Sequence, residues 1–166
     1  MKQVLVAFGS KRRGTAGLAT MIGDALAEAG FTAVVTPARE VGDLAGFDAV
    51  IVAGALYANR WHRHGRRFVR RHAAALRGLP VWLVSSGPLD DSAARQDIAP
   101  TKQVARLIER VGARGHVTFG GYLAPDAKGF PASALAKNKS GDWRDPEQVR
   151  RWVAMIAPEL ESADGR

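Results

Sequence analysis

Three runs limit what this chain can fold into: "VLVAF" at 4–8, "AVIVA" at 49–53 and "VWLVS" at 81–85. Each is apolar nearly throughout and rich in β-branched residues. A strand with one wet face alternates apolar and polar side chains, so runs without alternation are strands covered on both faces. Helical patterns lie between and after them. Leu18, Met21, Ile22 and Ala25 share one helix face, with Gly30 as a stop. Phe68, Val69, His72 and Leu76 form a second face, and Val104, Leu107, Ile108 and Val111 a third, stopped by Gly112. Val149, Trp152, Val153, Ile156 and Leu160 form a fourth, introduced by Asp145 as cap and Pro146 at the first helical position. Strands covered on both faces and alternating with helices imply right-handed βαβ crossovers and an open, doubly wound parallel sheet.

Two weaker runs complete that sheet. Thr32 to Val35 is short and polar at its ends, and Val117 to Tyr122 alternates, so both are expected at edges. Ala38 to Phe47 has no clear period and reads as a loop with one short helical turn. The stretch from Ala124 to Asp145, rich in Gly, Pro, Lys and Asn, reads as a site cover or a long surface loop.

A length of 166 residues suits one domain, and 46% apolar residues suffice for its core. No stretch approaches the roughly 20 unbroken apolar residues of a membrane span. The short N-terminal run is followed by cations, which favours a strand over a signal peptide. There is no cysteine, which excludes disulfides, a thiolate nucleophile and a cysteine metal site. A cytoplasmic protein is expected. The net charge of +8 favours polyanionic neighbours without choosing among them.

In open sheets of this kind, ligands bind beyond the carboxyl ends of the strands where strand order reverses. Three loops therefore matter. "GSKRRGTAG" offers the hydroxyls of Ser10 and Thr15, a close backbone approach at Gly14, and the N–H groups of a new helix. That is a phosphate cradle, or else an ordinary strand-to-helix turn with solvated cations. Gly9, Gly14 and Gly17 do not have G-x-G-x-x-G spacing, and no Gly-Lys-Ser/Thr occurs in the loop, so a single phosphate is favoured over a dinucleotide or nucleoside triphosphate. "GALYANRWH" carries Tyr57 and Trp61, which either stack on a flat ring or pack under the next helix. "SSGPLDD" brings backbone to a planar ligand's edge, or is a plain turn.

Other motifs carry less. "RWHRHGRRFVRRH" at 60–72 holds six Arg and three His, but Phe68 and Val69 read as core-facing, which leaves the arginines on a solvated helix face. Nucleic acid is disfavoured; an anionic substrate or membrane headgroups remain open. His62, His64 and His72 have no acidic ligand at helical spacing, which argues against a metal. Asp90 and Asp91 are adjacent in a turn and point apart, and "SSG" is not a nucleophile elbow.

The segments "VLVAFGSKRRGTAGLATMI", "FDAVIVAGALYANRWH", "VRRHAAALRGLPVWLVSSGPLD" and "SGDWRDPEQVRRWVAMIAPEL" together make the chain resemble flavodoxin-domain proteins nearly end to end. More narrowly, it resembles the branch that includes flavodoxin-type protoporphyrinogen dehydrogenase. The resemblance implies a flavodoxin-like five-stranded parallel sheet in the order 2-1-3-4-5 with FMN at its carboxyl edge. It implies that Ser10, Lys11, Arg12, Arg13, Gly14 and Thr15 hold the FMN phosphate. Ala55, Leu56, Tyr57, Ala58, Asn59 and Trp61 would line one side of the isoalloxazine, and Ser85, Ser86, Gly87 and Pro88 the other. One departure is Arg13, where the family usually has a small residue; it adds a cation or crowds the loop. The expected activity is that of an FMN-dependent oxidoreductase acting on a quinone, a porphyrin-type or another anionic substrate. The alternatives are a basic electron-transfer flavodoxin serving an acidic redox partner, and a flavodoxin-fold interaction protein that has lost FMN.

Overall fold

Val4, Leu5, Val6 and Ala7 are all buried, as an unbroken apolar run requires. They belong to β1 (Gln3–Gly9), a strand with a parallel neighbour on each side. The computed structural model describes residues 1–10, 13–123 and 141–163. After β1 come α1 (Arg13–Glu28), β2 (Thr32–Pro37), a short 3-10 turn (Ala38–Glu40), β3 (Ala49–Tyr57), β4 (Arg60–Trp61), α2 (Arg63–Arg71), α3 (Ala73–Arg77) and β5 (Val81–Ser86). Then follow α4 (Ser92–Arg95), α5 (Lys102–Val111), β6 (Gly115–Phe119), β7 (Tyr122–Leu123), β8 (Gly141–Asp142) and α6 (Pro146–Glu161).

The parallel strands stand in the order β2-β1-β3-β5-β6, with β4 paired antiparallel to the end of β3. Counting parallel strands alone, this is the expected 2-1-3-4-5, with the two polar runs at the edges. One face of the sheet packs Val4, Val6, Ile51 and Val84 against Leu18, Ile22 and Leu26 of α1 and against Val149, Trp152 and Ile156 of α6. The other packs Leu5, Val50, Val52 and Leu83 against Phe68 and Val69 of α2, Leu76 of α3, and Val104 and Leu107 of α5. Asp145 caps α6 by accepting from the Glu147 N–H at 3.0 Å, with Pro146 following as expected. No helix among the described residues is long and apolar enough to cross a membrane.

Two details differ from expectation. The helical pattern through Phe68 and Leu76 is two helices, because His72 leaves helical torsions (φ −100°, ψ 13°) and its ring packs on Phe68 at 4.7 Å. The strand expected over Val117 to Tyr122 stops at Phe119. There the Gly121 N–H turns to the Pro88 carbonyl at 2.9 Å, and Tyr122–Leu123 pairs instead with Gly141–Asp142. The β2–β3 connection is as expected, a loop with only the short 3-10 turn over Ala38, and Val34 of the edge strand β2 is 38% exposed. The cover expected from Ala124 onward lies largely outside the described residues.

Candidate functional site

The three loops singled out above leave the sheet side by side. Gly9 of β1 is in register with Gly54 of β3, and Gly54 with Ser85 of β5. At the first loop, Ser10 is half-buried and α1 starts at Arg13, with Gly14 buried and Thr15 only 2% exposed. Lys11, Arg12 and the side chain of Arg13 lie outside the described residues. The first turn of α1 contains no acidic residue, so nothing on the helix itself offsets the positive end of its dipole.

Gly14 sits under the β7–β8 hairpin. A Cβ there would lie 3.1 Å from the Tyr122 carbonyl oxygen and 3.2 Å from the Tyr122 Cβ, so the position accepts little beyond glycine. Arg144 fastens the hairpin. Its Nε and Nη2 donate to the two Asp142 carboxylate oxygens at 2.9 and 2.8 Å, its guanidinium lies over the Tyr122 ring, and Nη1 donates to the Gly14 carbonyl at 3.3 Å. The side-chain bonds from Arg144 hold the Asp142 carboxyl below its ordinary range, and the same bonds raise Arg144. Sequence reasoning missed this clamp. Its only local trace is the Asp-Trp-Arg spacing, which says nothing of a contact with Gly14, 130 residues away.

The second loop is a tight hairpin: Leu56 pairs with Trp61 and Tyr57 with Arg60. Its two central residues, Ala58 (φ 49°) and Asn59 (φ 64°), are both left-handed, as a type I′ turn demands. Asparagine tolerates this; alanine bears a cost of about 1 kcal/mol. Trp61 is 1% exposed. Its ring fills the space above Gly54, where a Cβ would lie 2.2–2.5 Å from three ring atoms, and it also touches Gly65 of α2. The indole Nε1–H donates to Ser85 Oγ at 3.0 Å, and the Trp61 backbone N–H to Gln103 Oε1 at 3.0 Å. Of the two roles open to this tryptophan, packing under the helix is the one its surroundings support. Tyr57 is half-buried, with His62 edge-on at 6.0 Å; Ala55 is buried, Leu56 half-buried, Ala58 and Asn59 exposed.

In the third loop Ser85 and Ser86 are buried, and Gly87 and Pro88 half-buried. Ser85 Oγ joins Trp61 to His116, whose Nε2 lies 2.9 Å away. Burial pushes the His116 pKa down to about 4, so the imidazole is neutral at pH 7 and shares a hydrogen bond with the serine hydroxyl. Gly87 touches the second loop directly, since a Cβ on it would lie 2.8 Å from Leu56 Cδ1. Backbone bonds hold this loop in place: Gly87 N–H to Phe119 O at 3.2 Å, Gly121 N–H to Pro88 O, and Trp143 N–H to Gly121 O, both at 2.9 Å. The adjacent acids have structural employment. Asp90 Oδ1 accepts from the Ser92 N–H, and Asp91 pairs with Arg95 at 2.9 Å on the exposed surface. His62 Nδ1 caps α2 by accepting from the His64 N–H.

The arrangement joins a helix N-terminus with buried hydroxyl and glycine positions to a cleft edge of Leu56, Tyr57, Gly87 and Pro88. It suits a ligand with a phosphate at one end and a planar ring at the other.

The family model described as "Flavodoxin domain" matches residues 5–127. Among solved structures, a flavodoxin from the domain Archaea is 15% identical, with 96% of this chain and 99% of that one aligned at a TM-score of 0.64. The Fusobacterium nucleatum flavodoxin bound to flavin mononucleotide is 14% identical, with 96% and 99% aligned at 0.54. The rubredoxin oxygen:oxidoreductase of Desulfovibrio gigas is 15% identical at 0.66, with 98% of this chain aligned to only 37% of that protein. At such identities the likeness is one of fold. No curated protein matches the sequence.

Proposed function

Because the chain belongs to the flavodoxin-domain family, we propose that it binds FMN across the carboxyl edge of its sheet and acts as an oxidoreductase. The observation that carries this reading is the convergence of the β1, β3 and β5 loops beside the N-terminus of α1, where β1 is flanked by β2 on one side and β3 on the other. The residues fit the group. Gly14 and Gly87 place no side chain at the first and third loops, Thr15 is nearly covered, and no acid in the first turn of α1 opposes a phosphate.

Bound FMN would supply the one- and two-electron chemistry. The chain's own residues have simpler tasks. The N–H groups of the first turn of α1 and the Thr15 hydroxyl would hold the phosphate dianion. Leu56 and Tyr57 would cover one side of the ring and Gly87–Pro88 its other edge. The ladder from Gly87 through Phe119 and Gly121 to Trp143 fixes that loop, and the Arg144 clamp seats the hairpin on α1, so both walls are set before a ligand arrives. Trp61 supports the second loop from below.

The strongly basic surface supports a quinone, a porphyrin-type or another anionic substrate over a basic protein partner. The sequence segments quoted above support placement in the protoporphyrinogen dehydrogenase branch. A second reading, a basic electron carrier for an acidic redox protein, draws on the near-complete coverage of single flavodoxins. An absorption spectrum before and after addition of FMN tests the cofactor. A shifted flavin spectrum with quenched flavin fluorescence is expected, and an unchanged spectrum overturns it. Oxidised protein mixed with a porphyrinogen, and reduced protein mixed with a quinone or an acidic redox protein, then separate the two readings by rate.

A further inference from the structure

A hollow of about 620 Å³ lies between the 3-10 turn and α2, lined by Arg39, His64, Arg67, Arg70 and Arg71. His64, Arg67 and Arg71 recur at helical spacing along one face of α2, over roughly 10 Å of helix length. Arg39 closes the hollow from the turn that stands where β2 leaves the sheet. Among the described residues no carboxylate lines it. Among the described residues, none of the four arginines has a hydrogen bond or an ion pair, whereas Arg66 donates to Trp61 O, Arg77 to Arg110 O, and Arg144 and Arg150 pair with acids.

These cations are crowded. Burial comes first in holding His64 below its ordinary value, followed by Arg39, Arg63 and Arg67; the His62 ring stands edge-on at 4.6 Å. Arg66, on the same helix, is lowered by burial and then by Arg60, Arg70 and Arg67. The nearby acid Asp43 acts on His72, not on His64. Like charges that converge on an open hollow without counter-charges repel one another, and a multiply charged anion relieves that repulsion. A carboxylate brings one negative charge and each phosphate about −1.5 to −2, so closely spaced phosphates answer four guanidinium groups best.

We propose that this hollow is an anion site that takes a diphosphate-type group, separate from the turn between β1 and α1. It lies close to that turn. The end of β1 abuts the start of α2, and a Cβ on Gly9 would lie 2.2 Å from the Gly65 nitrogen. The inference does not depend on FMN binding.

A second basic hollow provides the control. Asn59, Arg60, Thr101, Lys102, Gln103 and Arg106 line about 520 Å³ at the start of α5. Inorganic pyrophosphate is titrated calorimetrically into the wild type, into Arg67→Gln/Arg70→Gln and into Lys102→Gln/Arg106→Gln, which change net charge equally. All four positions are exposed, so folding is preserved. One-to-one binding weakened at least about tenfold by the first pair alone is expected. Equal weakening by both pairs means diffuse attraction and overturns the site. Citrate binding as tightly as pyrophosphate overturns the phosphate assignment. In NMR titrations, pyrophosphate should raise the His64 pKa while His116 stays unmoved; an unmoved His64 overturns the location. If FMN displaces pyrophosphate competitively, the hollow is part of the FMN site and the separate site falls. Phosphatidylglycerol vesicles identify the source: sedimentation reversed by pyrophosphate means a lipid headgroup, and binding of pyrophosphate without sedimentation means a soluble phosphate ester.

Discussion

Acid should unfold this protein partly through one imidazole. His116 Nε2 shares a hydrogen bond with Ser85 Oγ, which accepts from the Trp61 indole. Protonation of the ring makes donors of both its nitrogens and places a charge where burial is the dominant influence. The His116 pKa falls from 6.5 to about 4 on folding. The folded state therefore binds fewer protons than the unfolded one between those values. Stability is complete above about pH 6.5 and is lost as pH falls toward 4. At 1.36 kcal/mol per pKa unit the ceiling is about 3.4 kcal/mol. The ring is only partly covered, so screening by water cuts this to roughly half, with about 1 kcal/mol already gone at pH 5. Urea unfolding of the wild type and of His116→Gln at pH 7.5, 6 and 5 isolates the effect. His64, His72 and Asp142 titrate in both proteins and cancel in the difference. The wild type should lose stability faster than the variant as pH falls. Parallel curves, or an NMR titration of His116 near pH 6.5, would refute the reasoning.

Thr15→Ala should weaken FMN binding by roughly 1.5–3 kcal/mol, the worth of a hydroxyl donor to a charged acceptor; unchanged affinity in a fluorescence titration would place the phosphate elsewhere. Gly54→Ala forces a methyl into the Trp61 ring and should cost about 1–3 kcal/mol in denaturant unfolding, with altered Trp fluorescence. An unaltered midpoint would mean that the indole moves freely. Ala58→Gly removes a left-handed alanine and should raise stability by up to about 1 kcal/mol, read as a higher thermal midpoint.

Much of the architecture was written in local pattern. Runs such as Ala49–Ala53 have one environment on both faces, and their lack of alternation announces it; the polar ends of Thr32–Val35 marked an edge equally well. The adjacency of the three loops followed from topology alone, since neighbouring parallel strands end side by side. What stayed hidden depends on distant partners. Trp61 reads as a loop aromatic until Gly54 and Gly65 are seen to leave room for its ring. Arg144 reads as a surface cation until Asp142, Tyr122 and Gly14 surround it. The split of the last strand at Gly120–Gly121 depends on the Pro88 carbonyl, which periodicity cannot report.

The face shared by α1 and α6 has a consequence for synthesis. α6 supplies Val149, Trp152, Val153, Ile156 and Leu160 to a core whose other members include Val4, Val6 and Leu18. A nascent chain can pair β1 with β2 and β3 as soon as Tyr57 has left the ribosome, yet that side of the sheet is covered by α1 alone until residue 161 follows. During that interval the apolar side of α1 lacks its neighbour, and chaperones have their clearest target there. A ribosome stalled before Pro146 would hold a sheet only half covered on that side, which proteases and aggregation both exploit.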